Sequence, residues 1–110
     1  MKRILMFTLI FAATTGLTAA AMAADGAAVY KTKCALCHGA DGQGSPMGPA
    51  FKGSEFITSG SNGEITGVIL KGRTGDQKKY KNIAVGMPAQ SLDADDAGAL
   101  VKYLKSLASK

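Results

Sequence analysis

The segment CALCH, residues 34–38, contains both cysteines of the chain and its single histidine. Three kinds of chemistry use these residue types at such short spacing. Two thiols separated by two residues and followed at once by a histidine are the signature of covalent haem attachment. A Cys-x-x-Cys pair can also form a redox-active disulfide, and cysteine and histidine are common ligands of structural zinc.

The spacing of CALCH suits haem attachment best. Two intervening residues place the sulfurs of Cys34 and Cys37 about one helical turn apart, which suits addition to the two vinyl groups of a porphyrin. His38 follows directly and can bind the iron. A thioredoxin-like pair expects a βαβ context, and structural zinc needs four ligands where this segment offers three. We therefore predict one covalent haem c, with a haem-free thiol–disulfide protein as an alternative.

The first 23 residues have the features of a secretory signal peptide. Lys2 and Arg3 form the charged start, residues 4–13 are apolar, and Ala21-Met22-Ala23 fits the small-x-small cleavage pattern. An uncleaved membrane anchor is the alternative, although threonines and a glycine dilute the apolar run. We predict cleavage after Ala23, which leaves a single mature domain.

The predicted mature domain, residues 24–110, has 87 residues and a mild positive charge. Cleavage removes two of the 13 basic residues and none of the eight acidic ones, which lowers the formal charge from +5 to +3. This charge is too small to indicate nucleic-acid binding, and no basic motif with interleaved aromatic residues supports such binding. A chain of this length buries a modest core and gains stability from a bound cofactor.

Three main helices with long loops are predicted, because apolar residues nowhere alternate over the length of a strand. The first helix should begin after Asp25 and run to about Cys37. The second should follow a capping box formed by Ser61 and Glu64 and end near Gly72. The third should begin after Asp93 and bury one stripe of apolar residues. That stripe comprises Ala97, Leu100, Val101, Leu104, Leu107 and Ala108.

Four segments that resemble those of a known protein family are spread over nearly the whole mature chain. They are GAAVYKTKCALCHGADGQG (26–44), GPAFKG (48–53), GEITGVILKG (63–72) and GMPAQSLDADDAGALVKYLKSL (86–107). Together they resemble the class I c-type cytochromes, in particular the small bacterial monohaem proteins. The resemblance implies an all-α, cytochrome c-like fold of three main helices and long loops wrapped around one covalently bound haem.

The resemblance also implies roles for individual residues. His38 matches the proximal iron ligand of the family, and Pro49 lies where the family supplies a backbone carbonyl to the ligand's second nitrogen. Gly26 and Tyr103 match the pair at which the first and last helices cross.

The sixth iron ligand must be another residue type, because the chain has only one histidine. The three methionines of residues 1–23 leave with the signal peptide, so Met47 and Met87 remain. Met87 lies 49 residues after His38 with a helix between them, which is enough chain to reach the other side of the haem. We predict Met87 as the ligand, with Met47, a lysine or a vacant position as alternatives.

Iron bound by His38 and Met87 has no open position, so the predicted protein is a one-electron carrier and not an enzyme. A haem-based sensor or ligand-binding protein with an open or weak sixth position is the alternative. The signal peptide and the resemblance imply a periplasmic protein. We expect a monomer that meets redox partner proteins, binds no nucleic acid and has no stable membrane insertion after cleavage.

The predicted surroundings of the haem are apolar walls and a basic loop. The candidate wall residues are Leu36, Phe51, Phe56, Ile65, Ile69 and Leu104, whose alternative role is ordinary core packing. The basic residues are Lys71, Arg73, Lys78, Lys79 and Lys81. They form either a solvated loop or part of the functional site. In the second case, Arg73 together with Tyr80 holds the haem propionates. The others then attract an acidic redox partner.

Overall fold

The computed structural model describes residues 24–110. Five α-helices lie within this range, and no strand does. They are α1 (Gly26–Lys33), α2 (Ala35–His38), α3 (Glu55–Ser59), α4 (Asn62–Lys71) and α5 (Ala94–Ala108), and a 3-10 helix covers Gly75–Gln77. No helix in this range is long and apolar enough to cross a membrane. The predicted signal peptide lies outside the described residues.

The starts of the three main helices are fixed by side-chain caps, as predicted. At α1, the Asp25 carboxylate accepts a hydrogen bond from the Ala27 amide at 3.0 Å. At α4, Ser61 and Glu64 form a complete capping box. At α5, the Asp93 carboxylate accepts from a backbone amide of the first turn at 2.8 Å. Each cap satisfies an amide that has no partner within its helix.

The first helix is shorter than the sequence predicts, because it is interrupted at Cys34. This residue has φ −121° and ψ −36°, so the chain leaves α1 and starts α2 one residue later. The Cys34 carbonyl accepts from the amides of both Cys37 and His38, at 3.2 and 3.0 Å. The prediction of one helix to about Cys37 is therefore wrong. The interruption depends on packing, since no glycine or proline occurs there.

Helix α3 was not predicted either. It has only five residues, and its sequence EFITS includes two β-branched residues that favour helices weakly. The Ser54 hydroxyl accepts from the Ile57 amide at 3.4 Å. Ile57 is 4% exposed, so burial against the core stabilises this short helix.

Helix α5 forms the centre of the core and packs against α1, α3 and α4. All six residues of its predicted apolar stripe are buried. The crossing with α1 is close at Gly26, where an added Cβ would lie 2.7 Å from the Ala99 carbonyl carbon and 3.0 Å from Tyr103 Cβ. Only glycine allows the two backbones to approach this closely. Tyr30, one turn further along α1, is 1% exposed.

Candidate functional site

Two adjoining cavities lie between the CALCH segment, the loop around Pro49 and the segment 73–90. They share part of their lining, so they form one divided site. The residues predicted to attach the haem, bind its iron or contact its polar groups all line at least one of them: Cys34, Cys37, His38, Pro49, Arg73, Tyr80 and Met87. The fold therefore brings together residues that are up to 53 positions apart in the sequence.

The two cysteines border the site as half-buried, free thiols. Burial raises the pKa of the Cys34 thiol to about 11, against the opposing effect of the neighbouring Lys33 ammonium. Cys34 is therefore a neutral thiol at neutral pH. Redox-active cysteines of the thioredoxin type instead have a lowered pKa, so this environment does not favour disulfide exchange.

The His38 ring is held by a hydrogen bond and a stacking contact. Its Nδ1 lies 2.9 Å from the Pro49 carbonyl oxygen. Because a carbonyl only accepts, the proton lies on Nδ1 and leaves the lone pair of Nε2 free. The ring stacks on Phe51, with centroids 4.3 Å apart. Burial lowers the pKa of His38, although the hydrogen bond opposes this shift, so the imidazole is neutral and can bind a metal.

Further hydrogen bonds fix the backbone around CALCH. The Tyr30 hydroxyl donates to the Gly39 carbonyl at 2.5 Å, and the Ser45 hydroxyl donates to the Cys37 carbonyl at 2.6 Å. The loop passes close to the histidine at Gly48, where an added Cβ would lie 3.1 Å from His38 Nδ1. The sequence did not indicate that Gly48 lies close to His38, although the Gly-Pro pair was a signal for a tight loop.

Met87 is half-buried and packs against the hydrophobic core. It lines both cavities, and its backbone is paired with that of Arg73. The amide of each residue donates to the carbonyl of the other at 2.8 Å. Met47 lines only the first cavity and is 43% exposed. The geometry therefore gives Met87 a more buried and more constrained position than Met47.

The charged side chains that line the cavities are all basic, as far as the described part of the chain shows. They are Lys33, Arg73, Lys78 and Lys79. The Arg73 guanidinium lies over the Phe56 ring at 4.9 Å, and the Lys79 ammonium lies 5.6 Å from the same centroid. An aromatic face attracts cations, so Phe56 helps to hold both charges beside the second cavity. Sequence reasoning had not paired either cation with this ring.

Five of the six predicted wall residues line the second cavity: Phe51, Phe56, Ile65, Ile69 and Leu104. The sixth prediction, Leu36, is wrong, because this side chain is 83% exposed. Within the short helix α2, Cys37 and His38 line the cavity, and Leu36 projects into solvent. The remaining lining supplies the apolar surface that a large planar cofactor needs.

The chain belongs to the cytochrome c family, because residues 23–108 match the family model described as Cytochrome c. This membership confirms the predicted class I c-type cytochrome, its all-α fold and its covalently bound c-type haem. The site fits that cofactor, since it offers two free thiols, a neutral imidazole and apolar walls. The family supports a function in electron transfer.

Similar proteins include cytochrome c-553 of Nitratidesulfovibrio vulgaris (strain DSM 19637 / Miyazaki F). It is 54% identical over 57 residues, which cover 50% of this chain and 55% of that protein. The Cbb3-type cytochrome c oxidase subunit CcoP of Azospirillum brasilense is 32% identical over 89 residues, covering 76% of this chain and 30% of the subunit. The matched region thus spans about half of the length of cytochrome c-553 and about a third of the length of the CcoP subunit.

Two solved structures share the fold. The c-type cytochrome XoxG of Methylobacterium extorquens AM1 has a TM-score of 0.57 and 32% identity, with 76% of this chain and 48% of that chain covered. The KustC0563 c-type cytochrome has a TM-score of 0.56 and 23% identity, with 78% of this chain and 99% of that chain covered. At this lower identity, the second likeness concerns the fold alone.

Proposed function

We propose that this protein is a periplasmic one-electron carrier in which His38 and Met87 are the axial ligands of the haem iron. Cys34 and Cys37 attach the haem through thioether bonds. The haem supplies an iron that alternates between the ferric and ferrous states. The observation that carries the proposal is that His38 and Met87 both line both cavities, each with its backbone or ring held by hydrogen bonds.

His38 is prepared for ligation by its neighbours. The Pro49 carbonyl keeps the proton on Nδ1, and the Phe51 ring restricts rotation of the imidazole. Both contacts make Nε2 a well-oriented donor, and the hydrogen bond also increases the basicity of the ring. A ligand that is already oriented needs little rearrangement when the charge of the iron changes.

Met87 completes the proposed ligand pair with a neutral, polarisable thioether. Thioether ligation favours the ferrous state and raises the reduction potential. Because its backbone is paired with Arg73, we expect the methionine to stay in place. A filled sixth position leaves no place for oxygen or a substrate, which agrees with a carrier and disfavours a sensor.

The basic and exposed residues around the cavities suit two further roles. Arg73, Lys79 and Tyr80 are suitably placed to hold the anionic propionates of the haem. Lys33 and Lys78 line the first cavity together with the exposed side chains of Met47 and Val85. An apolar centre with a basic rim favours an acidic redox partner, whose reaction rate should fall as ionic strength rises.

Export to the periplasm rests on the signal peptide proposed for residues 1–23. The family match begins at residue 23, which supports a mature domain that starts at about this position. N-terminal sequencing of the exported protein should therefore begin at Ala24. A sequence beginning at Met1 would contradict the proposed cleavage.

Spectra of the haem-loaded Met87→Ala and Met47→Ala variants test the ligand assignment. We expect the ferric wild type and Met47→Ala to show the weak long-wavelength sulfur-to-iron band. Met87→Ala should lose that band and become partly high-spin, because its sixth position is open. Retention of the band in Met87→Ala together with its loss in Met47→Ala would contradict the proposal and assign the ligand to Met47.

A further inference from the structure

We propose that Gly72 is a positioning residue for Met87, because the segment that carries this methionine rests directly on it. The inference deepens the proposed function and rests on it, since Gly72 has this role only if Met87 binds the iron. Gly72 itself lines neither of the two cavities. It acts through the backbone of residues 87–89.

The backbone at Gly72 has a conformation that other residues rarely adopt. Gly72 follows the last residue of α4 and has φ +71° and ψ −177°. This combination lies in a region that is populated almost only by glycine. Its amide donates to the Val68 carbonyl at 2.8 Å, so the residue also terminates the helix.

Residues 87–89, the methionine segment, occupy the space beside Gly72. An added Cβ would lie 2.5 Å from the Met87 carbonyl oxygen, 2.7 Å from the Ala89 nitrogen and 2.8 Å from the Pro88 carbonyl carbon. These distances are too short for a real Cβ, and all three atoms are backbone atoms that cannot rotate away. A side chain at position 72 would therefore displace residues 87–89 from the end of α4.

Hydrogen bonds hold the methionine segment to α4 on both sides of this contact. On one side, Arg73 and Met87 exchange their two backbone hydrogen bonds at 2.8 Å. On the other side, the Gln90 amide donates to the Ile69 carbonyl at 2.9 Å. Ile69 is 4% exposed and belongs to the core, so α4 gives the segment a rigid support.

The segment between these paired residues contributes little support of its own. Residues 74–86 are all exposed or half-buried. Their ends are joined by the Arg73–Met87 pair, as in a closed surface loop. Besides its packing against the core, the position of Met87 therefore depends on the end of α4 and on the room that Gly72 leaves.

The test compares Gly72→Ala with Gly67→Ala in the haem-loaded protein. Gly67 lies in the same helix, but an added Cβ there would meet no atom within 4 Å. The readouts are the ferric sulfur-to-iron band and the affinity for imidazole, which competes with the sixth ligand. Gly72→Ala should weaken the band and bind imidazole about tenfold more tightly or more. Gly67→Ala should behave like the wild type.

The outcomes separate this inference from the proposed ligation. If the wild type lacks the sulfur band, Met87 is not the ligand, and both proposals are overturned. If the wild type shows the band and Gly72→Ala has unchanged imidazole affinity, only the positioning role is overturned.

A second variant covers the case in which Gly72→Ala does not accumulate. Gln90→Pro removes the amide that donates to Ile69 and adds no atom at position 72. We expect it to bind imidazole several-fold more tightly than the wild type, because one of the supports of the methionine segment is lost. Wild-type affinity in Gln90→Pro would overturn the inference.

Discussion

His38 lies among buried and hydrogen-bonded neighbours, whereas Met87 lies at the end of a largely exposed segment. Around His38, the buried Tyr30 binds the Gly39 carbonyl, and Phe51 stacks on the imidazole. Around Met87, the side chain packs against the core, and backbone contacts join its segment to the end of α4. The proposed proximal ligand is thus held by contacts to its own ring, and the proposed distal ligand is held largely through the backbone of its segment.

Substitutions in the two regions should therefore affect different properties, namely global stability and access to the sixth position of the iron. Changes in the α1–CALCH region should lower global stability, because they disturb the packing of α1 on α5. Changes near Met87 should mainly alter access to the sixth position and the motion of residues 74–86. Local opening of this kind occurs where few apolar contacts are buried.

The largest expected effect comes from Gly26→Val. Its side chain would collide with the Ala99 carbonyl and with Tyr103 where the two helices cross. We expect the free energy of unfolding to fall by about 3 kcal/mol, measured by urea denaturation. Gly98→Ala in α5 is the matched control, since an added Cβ there meets no atom within 4 Å. Equal stability of Gly26→Val and the wild type would contradict the close crossing.

Tyr30→Phe should have the next largest effect. It removes the hydroxyl that donates to the Gly39 carbonyl, and this half-buried oxygen keeps only the longer hydrogen bond from the Gly42 amide at 3.2 Å. We expect a loss of about 1–2 kcal/mol in the free energy of unfolding, with the sulfur band unchanged. Tyr80→Phe, whose ring is 40% exposed, should stay within about 0.5 kcal/mol of the wild type. Loss of the band in Tyr30→Phe would show that the two regions are coupled.

Alkaline pH should destabilise the α1 region in a defined window. Burial is the main cause that raises the pKa of Tyr30 to about 12, while an unfolded tyrosine titrates at about 10. Because the native state favours the neutral phenol, this stabilisation is complete below about pH 10 and is lost as pH rises through 12. Urea midpoints of the wild type should therefore fall across this window more steeply than those of Tyr30→Phe. Identical slopes would contradict the prediction.

The smallest expected effect concerns the 74–86 segment. Phe56→Leu keeps an apolar side chain but removes the ring that attracts Arg73 and Lys79. Trypsin should then cleave after the lysines at positions 78, 79 and 81 about two- to fivefold faster under native conditions. Global stability should change by less than about 1.5 kcal/mol. Unchanged cleavage would show that the cation–ring contacts do not restrain the segment.

The parts of the fold that could be predicted from the sequence are those that depend on local interactions. The caps at Asp25, Ser61 and Asp93 follow from residues within three positions of each other. The buried stripe of α5 follows from helical periodicity. The haem motif was also recognisable, because its three functional residues lie within five positions.

The features that were missed depend on packing between distant segments. No glycine or proline marks the interruption at Cys34, and α3 has only five residues, two of them β-branched. The exposure of Leu36 depends on how α2 is turned toward the cavity. The contact of Gly72 with residues 87–89 joins positions at least 15 apart, so a single sequence could identify the glycine only as the end of a helix.

Carbon monoxide titration of the reduced, haem-loaded protein tests the proposed carrier function most directly. Because Met87 should already fill the sixth position, we predict no change in the ferrous spectrum when the solution is saturated with carbon monoxide. Tight, stoichiometric binding would contradict the carrier and indicate a haem sensor or ligand-binding protein with an open sixth position.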